Sequence, residues 1–276
     1  MTRHRLAAAI ATLLLAAVGC SQPAPGGLPQ HHHGTTSRTH RQAQPRAVSD
    51  VLVRHRYVLG YSVEHRPVIA VQIGDPDSPR RILLVGCIHG NEPAGIAIAR
   101  ALLATRVPPE VNLWVVPDLN PDGVHAGTRG NARGVDLNRN FPYRWRPIGA
   151  PGSLHYAGSH ALSEREARMA ARLLRRVRPT LGLWYHQALD VVDTSQGPRA
   201  LERRYAADTG LPTRRLPDYP GSAIGFEDHL FGPTAFAIEL PAGRVSRAEL
   251  RRHLRAIVDI ATRAPIHHAL KPWEAA

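Results

Sequence analysis

Short apolar runs alternate along this chain with longer amphipathic segments. Apolar runs or alternation over about four to eight residues, bounded by turn residues, predict β-strands, and a period near 3.6 predicts helices. The predicted strands are 57–63, 67–73, 82–85, 112–117, 180–186 and 235–240. The predicted helices are about 93–105, 162–177, 199–209 and 246–262. Strands alternating with helices indicate an α/β domain with a largely parallel sheet covered on both faces.

Local signals refine two helix starts and one loop. Ser163 with Glu166 three residues later predicts a capping box, and Ser246 is the predicted cap of the last helix. The segment 118–156 is rich in Gly, Asn, Pro and Arg and lacks periodicity. Long ordered loops inside a compact domain usually carry function.

The N-terminal pattern predicts export. A basic start and a short apolar run over 6–18 indicate a signal peptide, residues 1–19. The following Cys20 resembles the lipidated cysteine of a bacterial lipobox, so we expect membrane attachment by a lipid anchor only; ordinary signal-peptidase cleavage is the alternative. Residues 20–47 have the composition of a disordered linker, in which His31–His33 would bind metal only adventitiously. The folded domain is predicted to be 48–276.

Composition excludes some functions. The 276 residues carry 35 Lys and Arg against 22 Asp and Glu, a net charge of +13. These cations are scattered, aromatic residues are 5%, and no nucleic-acid-binding motif is present, so we expect no nucleic-acid partner. The second cysteine, Cys87, is expected to be a small buried residue rather than a nucleophile or ligand.

Four ionisable residues stand at or near predicted strand ends: His89, Glu92, His186 and Glu239. Strand ends in open α/β sheets line the ligand crevice, so these groups can converge. Two imidazoles and a carboxylate suit zinc in a catalytic site, which keeps one position open. The structural alternatives are a capping glutamate beside a loop histidine, a satisfied core histidine, and a buried Glu239–arginine pair.

The long loop adds Asn120-Pro-Asp-Gly123 and the run 127–142, which contains Asp-Leu-Asn-Arg-Asn-Phe. With the motifs above, residues 57–261 resemble the zinc carboxypeptidases of peptidase family M14. The resemblance implies a three-layer α/β/α fold with a mixed, largely parallel twisted sheet and one zinc ion per chain. The implied zinc ligands are His89, Glu92 and His186. The resemblance also implies that Asn138 and Arg139 bind the terminal carboxylate of the substrate. It places Arg129 on the scissile carbonyl, with Arg133 as an alternative. It implies Glu239 as the catalytic glutamate, and Tyr219 is the nearest candidate for a mobile tyrosine.

Two further segments, 185–187 and 220–222, resemble the bacterial subgroup that cleaves γ-D-glutamyl-diaminopimelate bonds in murein peptides. This resemblance implies a peptide substrate, a murein stem peptide of the cell envelope. Because diaminopimelate carries an ammonium group, its pocket should contain an acid, for which Asp190, Asp193 and Asp218 are candidates. The alternative functions are a zinc-dependent N-acyl amino acid deacylase and a lipoprotein that binds wall peptides without cleaving them.

Overall fold

A computed structural model describes residues 54–266. Eight strands form one mixed sheet in the order β1-β2-β4-β3-β5-β8-β6-β7. The strands are β1 Arg54–Tyr61, β2 Pro67–Gly74, β3 Arg81–Val85, β4 Asn112–Val116, β5 Leu181–Gln187, β6 Val191–Asp193, β7 Thr213–Arg214 and β8 Ala235–Leu240. The helices are α1 Ala94–Leu102, α2 Pro121–Ala126, α3 Arg165–Val177, α4 Arg199–Thr209, α5 Ala223–Phe231 and α6 Arg247–Arg263, and Leu137–Arg139 forms a 3₁₀ turn.

The centre of the sheet is parallel and buried. β4, β3, β5 and β8 pair in parallel, and nearly every residue of these strands is buried. The β1–β2 hairpin and β6 join antiparallel to this centre. Apolar side chains of α1, α4 and α6 form one core cluster with the sheet, and those of α3 and α5 form a second. The predicted three-layer fold is confirmed.

Four short elements were not predicted from the sequence. β6, β7, α2 and α5 lie where no strand or helix was expected. α2 has only six residues and depends on its cap, since the Asn120 side chain accepts a hydrogen bond from the Gly123 N–H. Elements this short give too few residues for a period to show.

One predicted cap is wrong and another is confirmed. The capping box of Ser163 and Glu166 does not form, because α3 begins one residue later and the Ser163 hydroxyl donates to the Glu164 carboxylate instead. At the start of α6, Ser246 and Glu249 form a full capping box.

The predictions for the signal peptide, Cys20, the 20–47 linker and the ends of the 48–276 domain concern the chain outside residues 54–266. Within that described range, no helix combines the length and the apolar character that a membrane crossing requires.

Candidate active site

The sheet places the predicted residues at the carboxyl ends of its parallel strands. His89 and Glu92 lie on the turn between β3 and α1, and His186 is near the end of β5. Glu239 of β8 is the Cα partner of His186 in the parallel register. Residues that are far apart in the sequence therefore meet at one edge of the sheet.

Three side-chain atoms converge there. Glu92 Oε2 lies 2.9 Å from His89 Nδ1 and 3.0 Å from His186 Nδ1, and the two Nδ1 atoms are 3.2 Å apart. Tetrahedral ligands at about 2.1 Å from a zinc ion lie about 3.4 Å from one another. The donor set and its spacing thus fit zinc with a slight expansion, and these residues form the metal-compatible cluster found within 54–266.

A buried carboxylate, that of Asp136, contacts the ligand histidine His89 on the side away from the cluster. Its Oδ1 lies 3.0 Å from His89 Nε2 and accepts the Asn138 backbone N–H, while Oδ2 accepts Arg129 Nε at 3.0 Å. A carboxylate on the second nitrogen of a ligating histidine fixes the tautomer that leaves Nδ1 free for a metal. Asp136 belongs to the Asp-Leu-Asn-Arg-Asn-Phe run, but sequence analysis assigned it no role.

Electrostatics at the cluster favour ionised carboxylates. Burial opposes charge on both carboxyls. The histidines at 186 and 89 nevertheless lower the pKa of Glu92 far below its ordinary range, and His89 with two nearby arginines does the same for Asp136. For His89, burial also opposes the charge, and the hydrogen bonds to Asp136 and Glu92 outweigh it, so its pKa is raised. The two ionised carboxylates thus give the cluster a negative charge that suits a cation.

Glu239 is close to the cluster but outside it. Burial raises the pKa of its carboxyl, the histidines at positions 186 and 89 oppose this, and the charge of Glu92 adds to it. Its Oε2 has no hydrogen-bond partner within residues 54–266, and no arginine pairs with it there. The structure therefore shows no Glu239–arginine pair within this range, and Glu239 is one of the residues that line the cavity.

Arg129 and Arg133 take different places. Arg129 lies in the site, where its Nη1 donates to Glu92 Oε1 at 2.9 Å. The Arg133 side chain is 53% exposed and lies 3.9 Å from Glu164, and it does not line the cavity. Of the two candidates, only Arg129 can reach a carbonyl bound at the cluster.

Arg139 and Tyr219 also line the cavity and contact each other. The buried Arg139 guanidinium stacks on the half-exposed Tyr219 ring, 4.1 Å from its centroid, and donates to the Asn138 carbonyl. The Asn138 side-chain oxygen accepts the Ala223 N–H, so its amide nitrogen remains the available donor. This part of the cavity lining offers planar donors of the kind that bind a carboxylate.

The cavity has a volume of about 290 Å³ and contains two of the three candidate acids. Asp218 pairs with Arg144 at 2.5 Å, which offsets its charge. Asp193 has no cationic partner in the described chain; it accepts hydrogen bonds from the Ser195 N–H, the Ser195 hydroxyl and the Leu216 N–H. Asp190 does not line the cavity.

Local packing explains the tight turn that carries two of the ligands. A Cβ atom on Gly90 would overlap the backbone of Gly123 at α2, so the turn and the long loop approach at a distance that only glycine permits. Cys87 is fully buried, its thiol donates to the His89 carbonyl, and burial raises its pKa. The prediction that Cys87 is a small packing residue is confirmed.

Comparison with known proteins agrees with this geometry. A family profile described as zinc carboxypeptidase matches residues 51–195. Murein peptide amidase A of Escherichia coli K12 is 31% identical over 122 residues, which are 40% of this chain and 50% of that protein. The chain thus matches about half the length of this curated relative.

Solved structures extend the similarity over the sheet. The crystal structure of a murein-tripeptide amidase from Escherichia coli O157 matches with a TM-score of 0.62 and 27% identity, covering 79% of this chain and 96% of that one. Carboxypeptidase A from Helicoverpa armigera gives a TM-score of 0.66 at 21% identity, covering 77% and 68%, which is a likeness of fold alone.

Proposed function

This chain belongs to the zinc carboxypeptidase family, and we propose that it hydrolyses an amide bond next to a free carboxylate in murein peptides. The observation that carries the proposal is the convergence of His89 Nδ1, His186 Nδ1 and Glu92 Oε2 in one cavity with Glu239 and Arg139. A protein that only binds wall peptides needs the carboxylate-binding residues Asn138 and Arg139, but it has no need of a metal cluster beside a partly buried glutamate.

The donor set argues for one zinc ion per chain. Two imidazole nitrogens and one carboxylate oxygen are the ligands of many catalytic zinc sites. When bound, zinc polarises a carbonyl group and makes water a better nucleophile. Asp136 would hold His89 in the ligating tautomer.

Glu239 would act as the general base and then as the general acid. A base must be ionised to accept a proton, and a raised pKa brings its proton affinity closer to what transfer at neutral pH requires. The Glu239 carboxylate would take the proton from water and pass it to the leaving amine. Arg129 would donate to the oxygen on which negative charge develops.

Arg139 and Asn138 would bind the free carboxylate of the leaving residue. The guanidinium is buried and held against the Tyr219 ring, so little side-chain freedom is lost on binding. This requirement for a carboxylate would restrict cleavage to a chain end, with Tyr219 closing over the bound residue.

Asp193 supports diaminopimelate as the leaving residue. Its carboxylate is fixed by three hydrogen bonds, faces the cavity, and lacks the cationic partner that Asp218 has. Behind it lies the fully buried Glu202, whose pKa burial and the charge of Asp193 raise to about 7. A cavity lined by arginines and by a free carboxylate suits a residue with both carboxylate and ammonium groups. The similarity to murein peptide amidase A supports a murein peptide as the substrate.

We further propose that the protein acts in the cell envelope after export, attached through a lipid on Cys20. The support is the basic, then apolar N-terminal sequence that ends at this cysteine.

The test is hydrolysis of L-alanyl-γ-D-glutamyl-diaminopimelate by protein with and without metal. We expect one zinc per chain, activity that is lost with a chelator and restored with zinc, and release of free diaminopimelate. An N-acyl amino acid serves as the second substrate; faster cleavage of that compound would favour the deacylase. A zinc-loaded protein that binds the tripeptide without cleaving it would contradict the proposal.

A further inference from the structure

One imidazole in the cavity has no part in the proposed reaction. His155 lines the cavity, and its side chain is 49% exposed, whereas both ligand histidines are buried. Its backbone position is fixed by its neighbours: the Asp136 N–H donates to the Tyr156 carbonyl at 2.8 Å, and the Ala157 N–H donates to the Ile148 carbonyl at 3.0 Å. The fold therefore holds His155 against the site.

His155 shares a carboxylate oxygen with Arg129. Its Nδ1 lies 3.3 Å from Asp136 Oδ2, the atom that accepts Arg129 Nε at 3.0 Å. Because Asp136 already accepts hydrogens from a guanidinium and a backbone N–H, it acts as an acceptor, and His155 Nδ1 must carry the hydrogen of this contact. In the neutral ring, Nε2 is then a lone-pair acceptor.

The neighbours of His155 locate it relative to the substrate. Arg139 and Asn138 are the residues for the carboxylate end, and Arg129 is the group for the scissile carbonyl. Sharing one oxygen with Arg129 places His155 beside that carbonyl. A residue on the acyl side of the bond can offer a nitrogen-bound hydrogen there, as an amide or an ammonium group.

We propose that His155 is a substrate-binding residue that accepts a hydrogen bond from an N–H group on the acyl-side residue. This assignment rests on the proposed function, and it names the acyl group that the site prefers: an aminoacyl group rather than the same acyl chain without nitrogen. Asp136 would then orient both a metal ligand and a specificity residue.

The experiment compares His155→Ala and wild-type zinc enzyme on matched substrates at pH 8, where an imidazole is neutral. The first substrate is γ-D-glutamyl-diaminopimelate; the second is glutaryl-diaminopimelate, which keeps the chain and carboxylate and differs only in lacking the amino nitrogen. Loss of one hydrogen bond should reduce kcat/KM of the variant about tenfold on the first substrate and leave the second unchanged. The control is His160→Ala in the same loop; His160 is exposed and outside the cavity lining.

Two additional arms distinguish the alternatives. His155→Gln, which keeps an acceptor, should recover part of the loss. 4-Aminobutyryl-diaminopimelate keeps the nitrogen but lacks the carboxylate, and it should still respond to His155→Ala. The assignment would be overturned if His155→Ala lost the same factor in kcat/KM on all substrates or bound less zinc. It would also be overturned if the loss depended on the carboxylate of the acyl group rather than on its nitrogen. Wild-type protein inactive on every substrate would overturn the proposed function together with it, whereas active wild type with an unaffected variant would overturn this assignment alone.

Discussion

Asp136 links most of the groups that the reaction needs, although it touches neither metal nor substrate in the proposed mechanism. It is fully buried and contacts His89, Arg129, His155 and the backbone of residue 138. A single carboxylate thus sets the orientation of a ligand, a carbonyl-binding arginine and a cavity histidine. Replacing the Asp136 carboxylate should therefore weaken metal binding more than it destabilises the fold.

We predict that Asp136→Asn weakens zinc binding about 10–100-fold, the usual cost of losing such a partner of a ligand histidine. Competition with a chromogenic chelator measures this affinity. The matched control is Asp122→Asn, which alters a buried aspartate of the neighbouring α2 that bonds Ser62 and Arg66 away from the cluster. If both variants bound zinc like the wild type, Asp136 would have no role in orienting His89.

For Glu239→Gln we expect zinc content to stay at one per chain while kcat falls by about 10²–10⁴-fold, the usual contribution of a general base. The pH dependence follows from the raised pKa. Since the base must be ionised, wild-type activity should fall as the pH drops through a value above the ordinary glutamate range. The residual activity of Glu239→Gln should not show this decrease at low pH. If the decrease were unchanged in the variant, it would belong to the titration of another group.

At the scale of elements, helix α5 carries a buried glutamate that lies outside the candidate site and serves the fold. Glu227 is fully buried against β5, where its Oε2 accepts the Trp184 indole N–H at 2.7 Å. Burial raises the pKa of Glu227 to about 8, although the bond from Trp184 opposes this shift. The folded protein therefore keeps this carboxyl protonated at neutral pH.

This shift predicts a pH dependence of stability. A carboxyl group with a raised folded-state pKa stabilises the fold below its unfolded pKa, and that contribution is lost as the pH rises towards about 8. Between pH 5 and 8, the free energy of unfolding of the wild type should fall relative to Glu227→Gln by about 3–4 kcal/mol. Urea unfolding at several pH values measures it. Parallel pH profiles for both proteins would show that Glu227 is ionised in the fold.

What could be predicted at this scale depended on element length. The strands that carry His186 and Glu239 were recognised from their apolar runs. The polar residue that ends or interrupts each run then marked a candidate site residue. β6 and α5 were missed, although β6 brings Asp193 to the cavity and the Ala223 N–H at the start of α5 donates the hydrogen bond that fixes Asn138. His155 was missed for another reason: it stands in a loop without a local motif, and only the backbone pairing of 136 with 156 brings it to the site.

At the scale of the whole molecule, the proposed metal site joins distant parts of the chain. Its ligands come from the turn after β3 and from β5, on neighbouring parallel strands, and the long loop closes over them. A ligand that binds the folded but not the unfolded protein stabilises it by mass action. The site should therefore be visible in the stability of the entire domain, independently of any substrate.

We expect zinc at about 100 times its dissociation constant to stabilise the metal-free protein by about 3 kcal/mol. For a domain of this size, that corresponds to an increase in Tm of about 5–10 °C. Differential scanning calorimetry on metal-free and zinc-loaded protein measures the increase. In His186→Ala it should largely disappear because one ligand is lost, while Glu239→Gln should keep it in full. An equal increase in the His186 variant would place the zinc elsewhere, for example on the histidines at 31–33, and a truncation that removes residues 1–47 separates that case from the cluster in the folded domain.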